Sequence, residues 1–329
     1  MNENQSLCVA YAADDNYAKY MGISMLSLFR SNKEFAEITV FVLDCGIKAS
    51  NREKLRSIAE EYHREIYFKS MEKAVSGLDL HMGARKISIA SYARLFLSSI
   101  LPEFYDRILY LDCDTIVRGS LTNYWKVDLE DCMVAGVRDT VDSFFLKKIG
   151  LNPEEVYVNA GVLLINLAGW RKEHLEGQFM DFIRKFDGKV PHHDQGVINA
   201  VCRNRKRIVS PEFNVTSNIY SFSAKTIKRI YFMDSFYFQE ELEKAKNDPV
   251  ILHFTTGLVG RPWEENCTHP EKEEYGNMAQ ASPWKDDPFL PDSRKLSVKV
   301  FSGFYRYTPH FLSEAVYRYA SLLVHAFYS

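Results

Sequence analysis

Ile108-Leu109-Tyr110-Leu111-Asp112-Cys113-Asp114 is a short apolar run that ends on two aspartates separated by one residue. The run has the length and composition of a buried strand. On extended backbone, residues two apart point to the same side, so both carboxylates can reach one cation. Oxygen donors suit Mg²⁺ or Mn²⁺, and an imidazole in the set tilts the choice toward Mn²⁺. A lone Asp-x-Asp is usually a pair of surface or capping acids, so its company decides its meaning.

Outward from this stretch, short apolar runs alternate with periodic segments, the pattern of an α/β domain. Cys8-Val9-Ala10-Tyr11-Ala12 ends in Ala13-Asp14-Asp15-Asn16 and is followed by a helical pattern with Tyr17, Met21, Met25 and Leu28. Ile38 to Leu43 ends in Asp44, and Glu65 to Phe68 gives a further strand. Met133 to Val137 ends in Arg138-Asp139, Val162 to Ile165 follows Asn159-Ala160-Gly161, and Val250 to Leu252 leads to His253. Ser91 to Ile100 reads as a helix carrying Arg94. Acids thus recur where strands end: Asp14, Asp15, Asp44, Asp112, Asp114 and Asp139. In open α/β sheets ligands bind beyond the carboxyl ends of the strands. So acidic a rim would repel a bare diphosphate, which calls for a cation between them.

The 329 residues can bury a sizeable core, and 46% hydrophobic with 26% charged residues is ordinary for a globular chain. A net charge of −2 gives no reason to expect a nucleic-acid partner. The charge is uneven, however. Arg294 to Ser329 holds five basic residues against the single acid Glu314, together with nine aromatics, so the tail is net +4 and the body −6. Such a tail suits an anionic membrane surface; the alternative is a helical pair packed onto the body. Pro283, Pro288 and Pro291 make Pro270 to Ser293 read as a linker, which divides the chain into a catalytic region 1–270 and a linker with helical tail 271–329. The six cysteines form no CxxC pairs, and the start lacks the basic and apolar regions of an export signal. The expected location is therefore cytoplasmic, peripheral to the inner face of the membrane. Asn4, Asn214 and Asn266, which open N-x-Ser/Thr triplets, then read as chance.

Six motifs occur in order: Ala12-Ala13-Asp14-Asp15-Asn16-Tyr17, Tyr92-Ala93-Arg94-Leu95, Leu109 to Asp114, Asn159-Ala160-Gly161-Val162, His193-Asp194-Gln195-Gly196 and His253-Phe254. In this the chain resembles glycosyltransferase family 8, notably bacterial lipooligosaccharide α-galactosyltransferases and related glucosyltransferases. The resemblance spans roughly Cys8 to Trp263. It implies a GT-A fold, an α/β architecture with a mixed central sheet flanked by helices, to which the C-terminal basic aromatic helices are added. It also implies a UDP-galactose or UDP-glucose donor, Mn²⁺ (or Mg²⁺), retention of configuration and a saccharide or glycolipid acceptor.

By the same resemblance Asp112, Asp114 and His253 are the metal ligands. Ala12, Asp14 and Asn16 line the uridine pocket, although Asn16 also reads as a helix cap. Arg94, Cys113, Asn159, Ala160, Gly161, Gly257 and Arg261 join the nucleotide-sugar site, with Cys113 facing away from the metal. Asp194 would bond sugar hydroxyls, and Gln195 would sit below the anomeric carbon. Arg261 stands where the family usually has Lys, in a stretch about two residues longer. With an amide at 195, a front-face substitution is favoured over a double displacement through Asp194. A self-glucosylating glycogenin-like enzyme and a non-catalytic sugar-nucleotide-binding scaffold are the rival readings.

Overall fold

The computed structural model describes residues 6–71 and 92–328, with side chains to residue 322. Ser91 and the Asn4 triplet start lie outside the described residues. A seven-stranded mixed sheet is built from β1 (Ser6–Ala13), β2 (Glu37–Asp44), β3 (Glu65–Ser70), β4 (Arg107–Leu111), β6 (Val134–Arg138), β7 (Val158–Asn166) and β8 (Lys206–Ile208). Its order is β3-β2-β1-β4-β7-β6-β8. The first four strands run parallel, whereas β7 is antiparallel to both β4 and β6. A three-stranded sheet, β5 (Thr115–Val117), β10 (Ile251–His253) and β9 (Val215–Thr216), lies in the order β5-β10-β9.

The strands read as nearly continuous apolar runs because both faces of the large sheet are covered. Leu7, Val9, Tyr11 and Ala13 of β1 face one core, and Cys8, Ala10 and Ala12 face the other. The helix Ala18–Ser31 is buried along most of its circumference and carries polar groups that stitch it to β5. Ser24 Oγ lies 2.8 Å from Thr115 Oγ1 and 3.1 Å from Tyr11 Oη, while Val117 N donates to Ser27 Oγ at 2.9 Å. These bonds satisfy buried hydroxyls and fix the chain just beyond Asp114.

Where β1 and β4 lie side by side, the strand order reverses direction, and the crevice there is the expected ligand position. Ala13-Asp14 and Asp112-Cys113-Asp114 both open onto it. Two of the rim acids are consumed locally instead. Asp44 Oδ1 accepts from Gly46 N and Ile47 N, and its Oδ2 pairs with Arg52 at 2.6 Å. Asp15 accepts from Lys48 N and Asn51 Nδ2, holding the start of the helix Ala49–Glu61. The inference from a continuous acidic rim to a cation thus narrows to Asp14, Asp112, Asp114 and Asp139.

The Pro-rich stretch read as a linker is packed structure. It holds the helix Lys272–Gln280, and Tyr275 and Trp284 are buried in the main core. A Cβ on Gly22 would meet Trp284 Cζ3 at 2.3 Å, so the absent side chain there lets the indole lie against the helix. Proline spacing misled because rings between prolines can still be anchored from outside the segment. Two further helices follow, Leu296–Tyr307 and His310–Tyr328. Among the described residues no helix is long and apolar enough to cross a membrane.

Candidate active site

Strand register assembles the site from distant parts of the sequence. Antiparallel pairing sets His253 opposite Thr115, and so beside Asp114. Pairing of β4 with β7 sets Leu111 opposite Val162, and Asp112 N donates to Gly161 O at 2.7 Å. The result is a cluster in which one ligand atom each from Asp112, Asp114 and His253 lies within 4.8 Å of the others. His253 Nε2 is 3.2 Å from Asp114 Oδ1 and 3.9 Å from Asp112 Oδ2. Two carboxylates and an imidazole fit a hard-to-borderline divalent cation such as Mn²⁺.

The surroundings fit a cation too. Burial opposes ionisation of Asp114, yet His253 and Arg261 pull its carboxyl below the usual range. Burial would depress the His253 imidazole, but Asp114 and Asp112 outweigh it and hold the ring above its ordinary value. The cluster stabilises positive charge, here supplied by a proton or equally by a metal. His253 Nδ1 lies 2.9 Å from Asn214 Oδ1, the outer-shell bond that directs Nε2 toward the carboxylates.

Gly161 is required by this packing. A Cβ there would lie 2.3 Å from His253 Cε1 and 2.6 Å from Asp112 Oδ2. Gly161→Ala should therefore spread the ligands and weaken Mn²⁺ binding roughly tenfold or more, a change readable by titrating free Mn²⁺ in EPR. An affinity equal to that of the parent chain would show that the strand can yield.

Arg94 lies on a 3₁₀ turn, Ala93–Phe96, which continues into the short helix Leu97–Ile100 in place of the single helix expected. The turn aims the guanidinium inward, where it is almost fully buried. It donates to Ala160 O and, at 2.8 Å, to Asp112 Oδ1, and its Nε lies 2.7 Å from Asp194 Oδ2. The Tyr110 ring stacks 4.1 Å below it. Burial works against the charge, but Asp112 and Asp194 keep Arg94 firmly cationic. Arg94 thus bridges a metal-ligand candidate to the acid at the start of the helix His193–Val201.

Burial pushes the Asp194 carboxyl up to about 6, against the pull of Arg94. A carboxylate with a raised value loses its charge as the pH falls through that value. If anionic Asp194 is needed, kcat/KM should fall with a single proton below about pH 6, and Asp194→Asn should remove that limb. An acid limb that persists in Asp194→Asn assigns it elsewhere.

Gln195 Oε1 accepts from Ala160 N at 2.9 Å, and its Nε2 donates to Asp139 Oδ2 at 2.8 Å. Asn159 and Ala160 belong to β7 itself, where the register with β6 shifts. Cys113 Sγ lies 3.3 Å from Ala12 O, on the side away from the cluster. Asp14 Oδ1 accepts from Tyr17 N at 3.1 Å, whereas Asn16 only donates to Asp14 Oδ2 at 3.4 Å. Asp14, not Asn16, therefore caps this turn. Arg261 Nη2 is 3.8 Å from Asp114 Oδ2, and Gly257 lies beside Ser217 and Asn218.

Sequence reasoning missed Asn214 and Tyr110. Asn214, dismissed as a chance glycosylation triplet, is fully buried against His253. Its only signal was its place just ahead of the β-branched pair Val215-Thr216.

The model for glycosyl transferase family 8 matches residues 8–267. The chain belongs to that family. General stress protein A of Bacillus subtilis is 24% identical over 86% of this chain and 96% of its own length. The lipopolysaccharide 1,2-glucosyltransferase of Escherichia coli K12 is 24% identical over 87% of this chain and 81% of its own. Among solved structures, the galactosyltransferase LgtC in complex with donor and acceptor sugar analogs superposes with a TM-score of 0.69 at 28% identity, covering 84% of this chain and 96% of that one. This family 8 glycosyltransferase accordingly has the GT-A-like fold expected, a mixed central sheet flanked by helices.

Proposed function

We propose that this family 8 member moves a hexose, galactose or glucose, from a UDP-sugar to a saccharide acceptor with retention of anomeric configuration. The observation that carries the reading is the convergence of Asp112, Asp114 and His253 beside Arg94, Asp194 and Gln195 at one crevice. The acceptor class proposed is a lipopolysaccharide or other cell-surface glycan precursor, supported by the likeness to the lipopolysaccharide 1,2-glucosyltransferase of Escherichia coli.

Asp112, Asp114 and His253 would hold Mn²⁺, with Mg²⁺ the second choice. Bound there, the cation supplies Lewis-acid stabilisation of the charge that gathers on the departing diphosphate. Arg261, on the open side of Asp114, adds a fixed cation for the same phosphates. Arg94 holds Asp194 in place to accept from sugar hydroxyls. Gln195 presents an amide, a poor nucleophile, below the ring. Asp194 is tied to Arg94 at 2.7 Å and is poorly placed to form a covalent bond. These features favour a front-face substitution: the acceptor oxygen bonds to the anomeric carbon on the leaving-group side, the bond to UDP breaks, and the acceptor proton passes to the diphosphate. Incubation with a panel of UDP-sugars, scored by UDP release, should pick out UDP-galactose or UDP-glucose only with Mn²⁺ present. Release unaffected by EDTA would overturn the reading, and a covalent hexosyl adduct on Asp194 would overturn the front-face route.

The two C-terminal helices support a peripheral membrane role for this transferase. Glu314 faces the body, accepting from Thr226 Oγ1 at 2.7 Å and pairing with Arg229 at 2.9 Å. Leu296, Val300 and Tyr307 remain exposed on one helix, and Leu312, Val316, Tyr319 and Leu322 on the next. Lys225, Lys228 and Arg318 line an adjoining open cavity. Each basic group near an anionic surface contributes about 1 kcal/mol at most. The packed-pair alternative and the membrane reading are therefore compatible. Vesicles rich in phosphatidylglycerol should co-sediment the parent chain but not a Leu312→Ser/Val316→Ser/Tyr319→Ser variant, which leaves the Glu314 contacts intact. Equal recovery of both sinks the membrane role.

A further inference from the structure

Five side chains form an unbroken hydrogen-bonded line across the floor of the site. His253 Nδ1 meets Asn214 Oδ1 at 2.9 Å, and Asn214 Nδ2 donates to Asn159 Oδ1 at 2.9 Å. Asn159 Nδ2 donates to Asp139 Oδ2 at 3.1 Å, and Gln195 Nε2 donates to the same oxygen at 2.8 Å. We propose that Asp139 is a positioning residue whose carboxylate sets the direction of every bond in this line, and through it the tautomer of His253.

The directions follow from donor and acceptor chemistry. An ionised carboxylate only accepts, so Asn159 and Gln195 must both turn their NH₂ groups toward Asp139. Turned that way, Gln195 places its carbonyl against Ala160 N, and Asn159 places its carbonyl against Gly161 N at 2.9 Å. Both backbone groups are donors, so the two orientations are confirmed from the far side. Asn159 Oδ1 also faces Asn214, which must therefore offer its NH₂ and keep its carbonyl for His253. A neutral imidazole facing a carbonyl through Nδ1 must carry its proton there. Its lone pair is then on Nε2, 3.2 Å from Asp114 Oδ1, where a ligand to a cation is needed. Asp139 itself is fixed by Thr140 N, which donates to Oδ1 at 2.8 Å and leaves Oδ2 for the two amides. One carboxylate thus orients both the amide at position 195 and, three bonds away, the ring that would bind metal.

Asp139→Asn tests this with little change of shape, because an amide at 139 can donate as well as accept. Without an accept-only group, Asn159 and Gln195 are held in direction only by the single bonds from Gly161 N and Ala160 N, so the flipped orientations gain population and Asn214 follows them. In the metal-free protein, at a pH where the ring is neutral, the ¹⁵N shifts of His253 should move from a predominantly Nδ1–H pattern to a mixture. Mn²⁺ affinity should fall about tenfold, the size expected for loss of an outer-shell partner. The double variant Asp139→Asn/Asn214→Asp should restore the Nδ1–H tautomer, since a carboxylate at 214 can only accept from His253. A purely structural role for Asp139 would give no such rescue. If Asp139→Asn does not fold, Asn214→Ala cuts the line at its centre and should give the same tautomer mixture. An unchanged tautomer in whichever variant folds, or no rescue in the double variant, overturns the proposal. None of these readouts requires a sugar donor, so the proposal can fail while hexosyl transfer stands, and the reverse.

Discussion

Asp114→Ala should abolish Mn²⁺-dependent release of UDP, lowering kcat/KM about a thousandfold, while leaving the metal-free fold in place. Several kcal/mol of charge stabilisation on the leaving group depend on the cation, and about 4 kcal/mol corresponds to three powers of ten in rate. Asp114 is the ligand closest to His253, and Arg261 adds its charge on the other carboxylate oxygen. Loss of Asp114 therefore removes the ligand that joins the two halves of the donor set. Thermal unfolding supplies a second reading. A cation that binds only the folded chain raises Tm with its concentration. Mn²⁺ should raise the Tm of the parent protein and leave that of Asp114→Ala unmoved. A variant that retains Mn²⁺-dependent turnover would show that Asp112 and His253 suffice without it, and would dismantle the assigned ligand set.

How much of this was legible follows the range of the interactions involved. The Asp-x-Asp after β4 could be read because its strand and its two acids are adjacent in sequence. The mixed sheet was foreshadowed by apolar runs ending on polar residues. His253 was placed by its likeness to the family; what puts it beside Asp114 is the pairing of β10 with β5, across 139 positions, and no local pattern encodes that register. Asn214 escaped for the same reason, since its role exists only once β9 pairs with β10. Asp139 was noticed as an acid at a strand end, but its meaning depends on the amides of Asn159 and Gln195 meeting there. Asp15 and Asp44 erred in the opposite direction. Strand-end aspartates serve turns and helix starts as readily as ligands, and only their partners distinguish the two. The segment after residue 270 misled through composition, because Trp284 is anchored by the helix Ala18–Ser31 far upstream and Tyr275 by the rings of Phe254 and Trp263.

Arg94→Ala should be the costliest single change, and on stability as well as activity. The guanidinium is buried, its partners Asp112 and Asp194 are largely shielded, and Tyr110 closes the stack beneath it. Removing one member of a buried ionic set leaves the others uncompensated, at a typical cost of about 3–5 kcal/mol. Part of that cost should be relieved by protonation of Asp194, whose carboxyl already sits at about 6 and would lose its cationic neighbour. The linkage has a definite sign. A carboxyl with a raised value in the folded state stabilises the fold at low pH and withdraws that support as the pH rises through it. The Tm deficit of Arg94→Ala should therefore be smaller near pH 5 than near pH 8. Activity should not recover along with stability, because the protonated acid no longer accepts from sugar hydroxyls and Asp112 Oδ1 has lost its charged donor at 2.8 Å, keeping only Tyr110 Oη at 3.2 Å. Arg94→Lys should restore part of the stability but little of the rate, since one ammonium cannot reach Ala160 O, Asp112 and Asp194 in the fixed fork that the guanidinium offers. A Tm deficit that is the same at both pH values would mean that Arg94 does not govern the charge on Asp194.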